Sequence, residues 1–259
     1  MRFLEGLPHV MAVMSERPDG PMGSSTNPGD NGAYAENRRQ FFVRCGINPK
    51  RTVMAGLVNG TAVRMVREAP LELRIPDTDG LISSAWAVAI ASQDCFPLFF
   101  APLNPSGSQE FIGIAHAGWE GILGGIVFAM VSRIEGTGID RRENLAVAVG
   151  PGIRSCCFLV RDDKRGVRQY LDRGLEAFVG KVQKDERGEA RYPVDLRGII
   201  LSQLHDRLGI PPQHVASDTA CTMCDGERFF SWRRDGAKGN NMLSAIRFNR
   251  PKRFEESRL

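Results

Sequence analysis

Two side chains able to do chemistry lie at the edges of neighbouring apolar runs. Cys95 opens the run in "SQDCFPLFFAP" (92–102), and His116 closes the run in "EFIGIAHAGWEG" (110–121). A thiolate and a neutral imidazole are both good zinc donors. A catalytic zinc takes three protein ligands, keeps one position for water, and lowers the pKa of that water to about 7. The same pair suits a cysteine nucleophile activated by a histidine base. It also suits two buried side chains with no chemical task, the thiol packed and the imidazole satisfied by a carbonyl. Asp94, beside the cysteine, is either a general base or supporting carboxylate, or the cap of a turn. The glycines on both sides of Trp119 in "HAGWEG" leave room for a ligand or another strand to come close.

These residues sit among short runs that read as strands. "TVMAGLVNG", "TAVRMV", "GLISSAWAVAIAS", "CFPLFFAP" and "EFIGIAHAG" are rich in Val, Ile and Phe and are broken by Gly, Pro and Asn. "NLAVAVGPGI", "HVASDTA", "RFFSWRR" and "NNMLSAIRF" add four more. The spacing predicts a helix near 33–45, and one over "WEGILGGIVFAMVSRIEG" with Ile122, Ile126, Met130 and Ile134 on one face. In "DLRGIILSQLHDRLGI", Asp195 caps a helix whose stripe is Leu196, Ile200, Leu204 and Leu208, and Gly209 stops it. Runs of strands interrupted irregularly by helices predict an α+β sandwich rather than regular βαβ winding. A length of 259 residues predicts one domain, with a long loop near 17–32 of the kind that forms lids or binding loops and a polar tail near 248–259.

Composition narrows the classes. A net charge of +4 with basic and acidic residues interleaved near the C-terminus is a solvated tail, not a nucleic-acid arm. No apolar run is long enough to span a bilayer and no targeting segment is visible, so no membrane partner and a cytoplasmic location are expected. Six cysteines in such a chain are expected to be thiols. Cys221-x-x-Cys224 looks like half a zinc ribbon, but no second CxxC completes it, and Cys156 and Cys157 are adjacent.

"DCFPLFFA", "HAGWEG", "GPGIRSCCFLV" and "CTMCDGERFFSWRRDG" occur in the order and spacing of the laccase-domain, or multicopper polyphenol oxidase, family. "HVMAVMSERPDG" and "AENRR" resemble its N-terminal signature. The resemblance spans residues 9 to 247. It implies a single α+β sandwich of the laccase-domain type, akin to CNF and cysteine-hydrolase folds. It further implies a zinc-dependent purine nucleoside phosphorylase that cleaves adenosine, inosine, guanosine and methylthioadenosine with phosphate, and that can deaminate adenosine. In the family zinc is held by a His, a Cys and a second His. Cys95 and His116 match the last two.

Three positions depart from the pattern. "LVNG" places Asn59 where the family has its first histidine ligand, and an amide oxygen is a poor zinc donor. Glu120 in "HAGWEG" and Asn240 in "KGN" each stand where the family has arginine, the natural partner of phosphate. Arg233, Arg234 and Lys238 are the candidates to compensate. Asn59, Trp119, Glu120 and Arg233 are therefore the expected substrate-binding residues. His9 is the candidate to replace the missing ligand, while His205 and His214 are expected to be structural. Copper chemistry is not expected, because four histidines cannot furnish a multicopper cluster. Two alternatives remain open: a paralogue that kept the fold, lost the metal and binds a small molecule or partner, and a metal-free Cys–His hydrolase. The oligomeric state is not readable from the sequence.

Overall fold

The computed structural model describes residues 1–23, 32–105, 110–136, 142–236 and 240–249. Residues 24–31 of the predicted loop, Lys238 and residues 250–259 of the polar tail thus lie outside the described residues. In chain order the strands are β1 (Arg2–Phe3), β2 (Val10–Met14), β3 (Thr52–Ala55), β4 (Val63–Val66), β5 (Arg74–Ile75), β6 (Gly80–Ser83), β7 (Ala87–Ser92), β8 (Phe96–Pro102), β9 (Ile112–Ala117), β10 (Leu145–Val149), β11 (Leu159–Val160), β12 (Gln183–Lys184), β13 (Ala190–Pro193), β14 (Val215–Ser217) and β15 (Met242–Phe248). The helices are α1 (Gly32–Arg44), α2 (Trp119–Gly124), α3 (Ile126–Glu135), α4 (Arg168–Leu171), α5 (Leu196–Ser202) and α6 (Trp232–Asp235). No helix among the described residues is long and apolar enough to cross a membrane.

Two six-stranded sheets face each other. The first has the order β1-β2-β15-β7-β3-β5 and the second β14-β10-β8-β9-β6-β4. Side chains alternate across a strand, so each inner strand feeds two cores. Phe99 and Ala101 of β8, with Ile112 and Ile114 of β9, meet Val53, Val88, Ile90 and Ile246 of the first sheet in the central layer. Phe96, Leu98 and Phe100 point the other way, against Ile126, Met130 and Ile134 of α3 and Leu196 and Ile200 of α5. Phe41 and Phe42 of α1 cover the outer face of the first sheet. The result is a four-layer α+β sandwich. It explains why β8 reads as unbroken apolar sequence: both of its faces are buried.

The cap, the stop and the buried stripe expected around α5 hold: the Asp195 carboxylate accepts from the Gly198 N–H at 3.0 Å, and Gly209 leaves the helical segment at φ +70°. The regular α-helix, however, ends at Ser202, and Gln203–Arg207 continue it as one π-helical turn that still buries Leu204. Two other expected elements differ. The helix expected over 119–136 is broken at Gly125, whose φ of 95° and ψ of 35° end α2 and begin α3. Apolar periodicity continues across the break because both helices pack on the same sheet face. Gly125→Ala is expected to cost about 1–2 kcal/mol, the penalty of a left-handed non-glycine residue. An unchanged urea-unfolding midpoint would contradict this. "RFFSWRR" is not a strand: Ser231 accepts from the Arg234 N–H and caps the single turn α6.

Topology gathers five loops at one end. β3 and β7 are parallel neighbours, so residues 56–60 and 93–95 leave the first sheet side by side. β9 runs antiparallel to β8 and exits into α2 beside the start of β8. β10 is antiparallel to β8 and parallel to β14, so the segments after Val149 and Ser217 end at the same rim.

Candidate functional site

His116 is in register opposite Pro97, and Cys95 lies two residues before Pro97, on the same face. This pairing brings the two sequence-predicted residues together. On its other flank β9 pairs with β6, and the His116 N–H donates to the Asp79 carbonyl at 2.8 Å. The Asp79 carboxylate, fully buried, meets His116 Nδ1 at 3.0 Å. It also accepts from the backbone N–H groups of Val58 (3.3 Å), Asn59 (3.1 Å) and Gly60 (2.8 Å). One carboxylate therefore fixes both the imidazole and the loop that carries Asn59. Asn59 itself takes the left-handed conformation, φ 60°, which asparagine tolerates well.

With Nδ1 engaged by Asp79, the opposite ring nitrogen is left for Cys95, with which His116 also hydrogen-bonds. Burial acts to lower the His116 pKa. The charge of Cys95 and the hydrogen bonds to Asp79 and Cys95 outweigh it and raise the pKa to about 9. Burial likewise acts to raise the Asp79 pKa, but His116 and the loop N–H groups hold it below the ordinary carboxylate value. Gly118 marks where the three candidate donors converge. A Cβ added there would stand 3.1 Å from Cys95 Sγ, 3.2 Å from Asn59 Oδ1 and 3.3 Å from His116 Cε1. This space suits a small cation. It offers two good zinc donors and one weak one, with a carboxylate behind the histidine as metal-bound histidines usually have.

Cys95, Asn59 and Gly118 border a cavity of about 390 Å³, within the range of small-molecule sites, and the buried His116 stands behind them. Trp119, Phe158 and Trp232 are among its walls, and Glu120 and Arg233 stand at it too. Trp232 is 55% exposed, unusual for so large an apolar side chain. Gln93, also at the cavity, has a buried Nε2 with no hydrogen-bond partner. Asp94, φ 69°, is committed elsewhere: its carboxylate accepts from Thr222 Oγ1 (2.6 Å), Ser231 Oγ (3.0 Å) and the Arg233 N–H (2.9 Å). Arg234 is likewise consumed, donating to the carbonyls of Thr222, Met223 and Phe229 and to Asp235. Arg233 donates to the Cys157 carbonyl at 3.2 Å and packs over the Phe158 ring, with the rest of its exposed guanidinium open to the cavity.

His9 does not complete the site. Its Nε2 meets the carbonyl of Pro102, at the far end of the strand that Cys95 precedes. His205 meets the carbonyl of Ile210, and His214 lies in the turn before β14. Sequence reasoning missed Asp79, Gln93 and Trp232. Asp79 becomes a site residue only through the β6–β9 pairing, which nothing local in "PDTDG" announces.

A family model described as "Multi-copper polyphenol oxidoreductase laccase" matches residues 14–249. The purine nucleoside phosphorylase YlmD of Geobacillus stearothermophilus is 29% identical over 226 residues, 84% of this chain and 79% of that protein. The purine nucleoside phosphorylase YfiH of Escherichia coli is 26% identical over 212 residues, 82% and 80% of the two chains. The crystal structure of the Geobacillus YlmD superposes with a TM-score of 0.74 at 26% identity, covering 93% of each chain. The Bacillus licheniformis hypothetical protein YfiH shares the fold, with a TM-score of 0.76 at 22% identity over 95% of this chain and 98% of that one.

Proposed function

This chain belongs to the family described as multi-copper polyphenol oxidoreductase laccase, and from that membership we propose that it is a purine nucleoside phosphorylase assisted by zinc. The convergence of Cys95, His116 and Asn59 on Gly118, at an aromatic-walled cavity, carries the reading. The names of the relatives supply the substrate class, a purine nucleoside with phosphate, and within that class the proposal takes adenosine, inosine, guanosine and methylthioadenosine. Deamination of adenosine belongs to the same proposal as a second reaction, in which water adds to C6 of the bound purine and ammonia leaves, the glycosidic bond staying intact.

Cys95 and His116 would hold the zinc, with Asn59 as the weak third donor. Zinc bound there would supply a Lewis acid for negative charge developing on the reactants. The chain's own residues do the rest. Trp119 and Trp232 offer flat faces on which a purine stacks. Gln93 Nε2 supplies a donor that a purine nitrogen or carbonyl would satisfy. Arg233 is the phosphate anchor, a task that Arg234 cannot share because its N–H groups are spent. Glu120 accepts from ribose hydroxyls. Held this way, a phosphate oxygen attacks the anomeric carbon as the glycosidic C–N bond breaks. The bonding electrons leave with the purine, which takes up a proton, and ribose 1-phosphate is released. The gain comes from orientation and from charge placed where the transition state needs it. Asp94 acts by position, tying the turn before Cys95 to the backbone of Arg233. Of the four histidines only His116 lies beside Cys95, His9 and His205 being engaged with carbonyls elsewhere, so oxidation on a multicopper cluster is not part of this reading.

Purified protein is expected to release free base from adenosine or inosine only when phosphate is present, as chromatography of the products would show. Cys95→Ala is expected to lower kcat/KM by about 10³-fold or more, as removal of a central electrostatic group does, while leaving the far-ultraviolet circular dichroism unchanged. Full activity in a metal-free Cys95→Ala protein would overturn the proposal. Absence of turnover in wild-type protein supplied with zinc and phosphate would favour a paralogue that binds without reacting. Rapid alkylation of Cys95 by iodoacetamide at neutral pH, together with ester hydrolysis, would favour the metal-free Cys–His reading.

A further inference from the structure

The second cluster of chemically able residues is made of cysteines that the cavity does not use. β10 and β14 are parallel neighbours, so the loops that follow them run side by side, joined by a bridge between Gly152 and Cys221. One loop carries Cys156 and Cys157, the other Cys221 and Cys224. Their four sulfurs all lie within 4.8 Å of one another. Cys224 Sγ is 3.6 Å from Cys156 Sγ and 3.3 Å from Cys157 Sγ. Four sulfurs about 2.3 Å from a tetrahedral zinc stand about 3.8 Å apart. The two shortest contacts fall within about 0.5 Å of that figure and no pair exceeds 4.8 Å, so little movement is needed to close the cage.

The backbone is arranged for thiolates. The Arg154 N–H points at Cys221 Sγ at 3.4 Å, and the N–H groups of Met223 and Cys224 face the same sulfur. The turn is closed by the Asp225 N–H on the Cys221 carbonyl. A C-x-x-C turn with N–H groups on its first sulfur is one half of a zinc ribbon. The missing second C-x-x-C is replaced by an adjacent pair brought from across the sheet. The expectation that nothing completes the half-site is corrected here.

We propose that Cys156, Cys157, Cys221 and Cys224 form a structural zinc site, separate from the Cys95–His116 cavity. Four thiolates fill the coordination sphere and leave no position for substrate, which is the mark of a structural rather than a catalytic zinc. Binding exchanges the thiol protons, released to solvent, for sulfur–zinc bonds. The clamp joins two loops that build the cavity wall. One supplies Ile153 and Phe158 and, through the Cys157 carbonyl, steadies Arg233; the other carries Thr222, the partner of Asp94.

The test needs no activity, so its failure and the failure of the phosphorylase proposal are distinguishable. Untagged protein purified without added metal is analysed for metals, alongside Cys95→Ala and the double variant Cys156→Ser with Cys224→Ser. About one equivalent of zinc is expected to vanish in the double variant and to survive in Cys95→Ala. Cobalt substituted into Cys95→Ala is expected to give the intense near-ultraviolet charge-transfer band of tetrahedral thiolate coordination, absent in the double variant. Wild-type protein supplies a control free of folding effects. Cys156 and Cys224 are exposed, yet should resist iodoacetamide until a chelator is added, as peptide mass spectrometry would read. Ready labelling of both without chelator, equal zinc in wild type and double variant, iron in place of zinc, or an intact mass reporting a disulfide among the four would each overturn the proposal.

Discussion

Asp79→Ala is expected to destabilise the protein by about 3–5 kcal/mol, the cost of leaving a buried ion pair with one partner. The carboxylate is fully buried, and four donors converge on it: His116 Nδ1 and the N–H groups of Val58, Asn59 and Gly60. Alanine orphans all four. The loop that carries Asn59 loses its anchor, and the imidazole loses the contact that sets its orientation. Both effects act on the same few ångströms, so base release should fail together with stability. Asp79→Asn keeps one acceptor oxygen and should fall between. Urea unfolding of the three proteins measures this. A loss below about 1 kcal/mol for alanine, the scale of an ordinary surface substitution, would show that water replaces the carboxylate.

Asn59→His should act in the opposite sense and tighten zinc by about 100-fold or more. Removing even a group that only supports a metal ligand changes affinity by about 10–100-fold, and a full imidazole donor in place of an amide oxygen should do no less. The geometry allows it. Asn59 Oδ1 already borders the space at Gly118 that Cys95 Sγ and His116 share. Histidine, like asparagine, is enriched in the left-handed conformation that residue 59 adopts. The loop is held through backbone N–H groups, which the substitution leaves in place. Competition with a chromophoric chelator would read the change. Equal zinc affinity in the two proteins would mean that the side chain at 59 does not reach the ion.

How much of this was readable beforehand depended on how local the cause is. β8, β9 and α5 were legible because burial on two faces leaves a continuous apolar run, and burial on one helical face leaves a 3.6-residue stripe. Cys95 and His116 stood out because reactive side chains interrupt such runs. Gly125 was hidden, since both helices it separates keep their apolar faces on one sheet. The turn α6 was hidden because the three aromatic residues of "RFFSWRR" favour a strand, while Ser231 and Asp235 set the local conformation by capping. Asp79 and the cysteine cage depend on strand pairings, β6 with β9 and β10 with β14, that bring distant segments together. No local pattern announces a partner across a sheet. His9, the ligand candidate, was decided the same way: the carbonyl of Pro102 claims it at the wrong end of β8.

The position of β15 has a consequence for how the chain acquires its shape during synthesis. It lies between β2 and β7 in the first sheet, although it follows every other strand among the described residues. Until it emerges, β2 and β7 cannot join, and each offers an unpaired edge of backbone donors and acceptors. The nascent protein therefore carries two incomplete halves through most of translation. The cavity shares this timing, because Asp94 waits for Thr222, Ser231 and Arg233 to fix its turn. A ribosome that stalls before residue 242 leaves a product with exposed edges and an unfinished wall, prone to aggregate and marked for proteolysis.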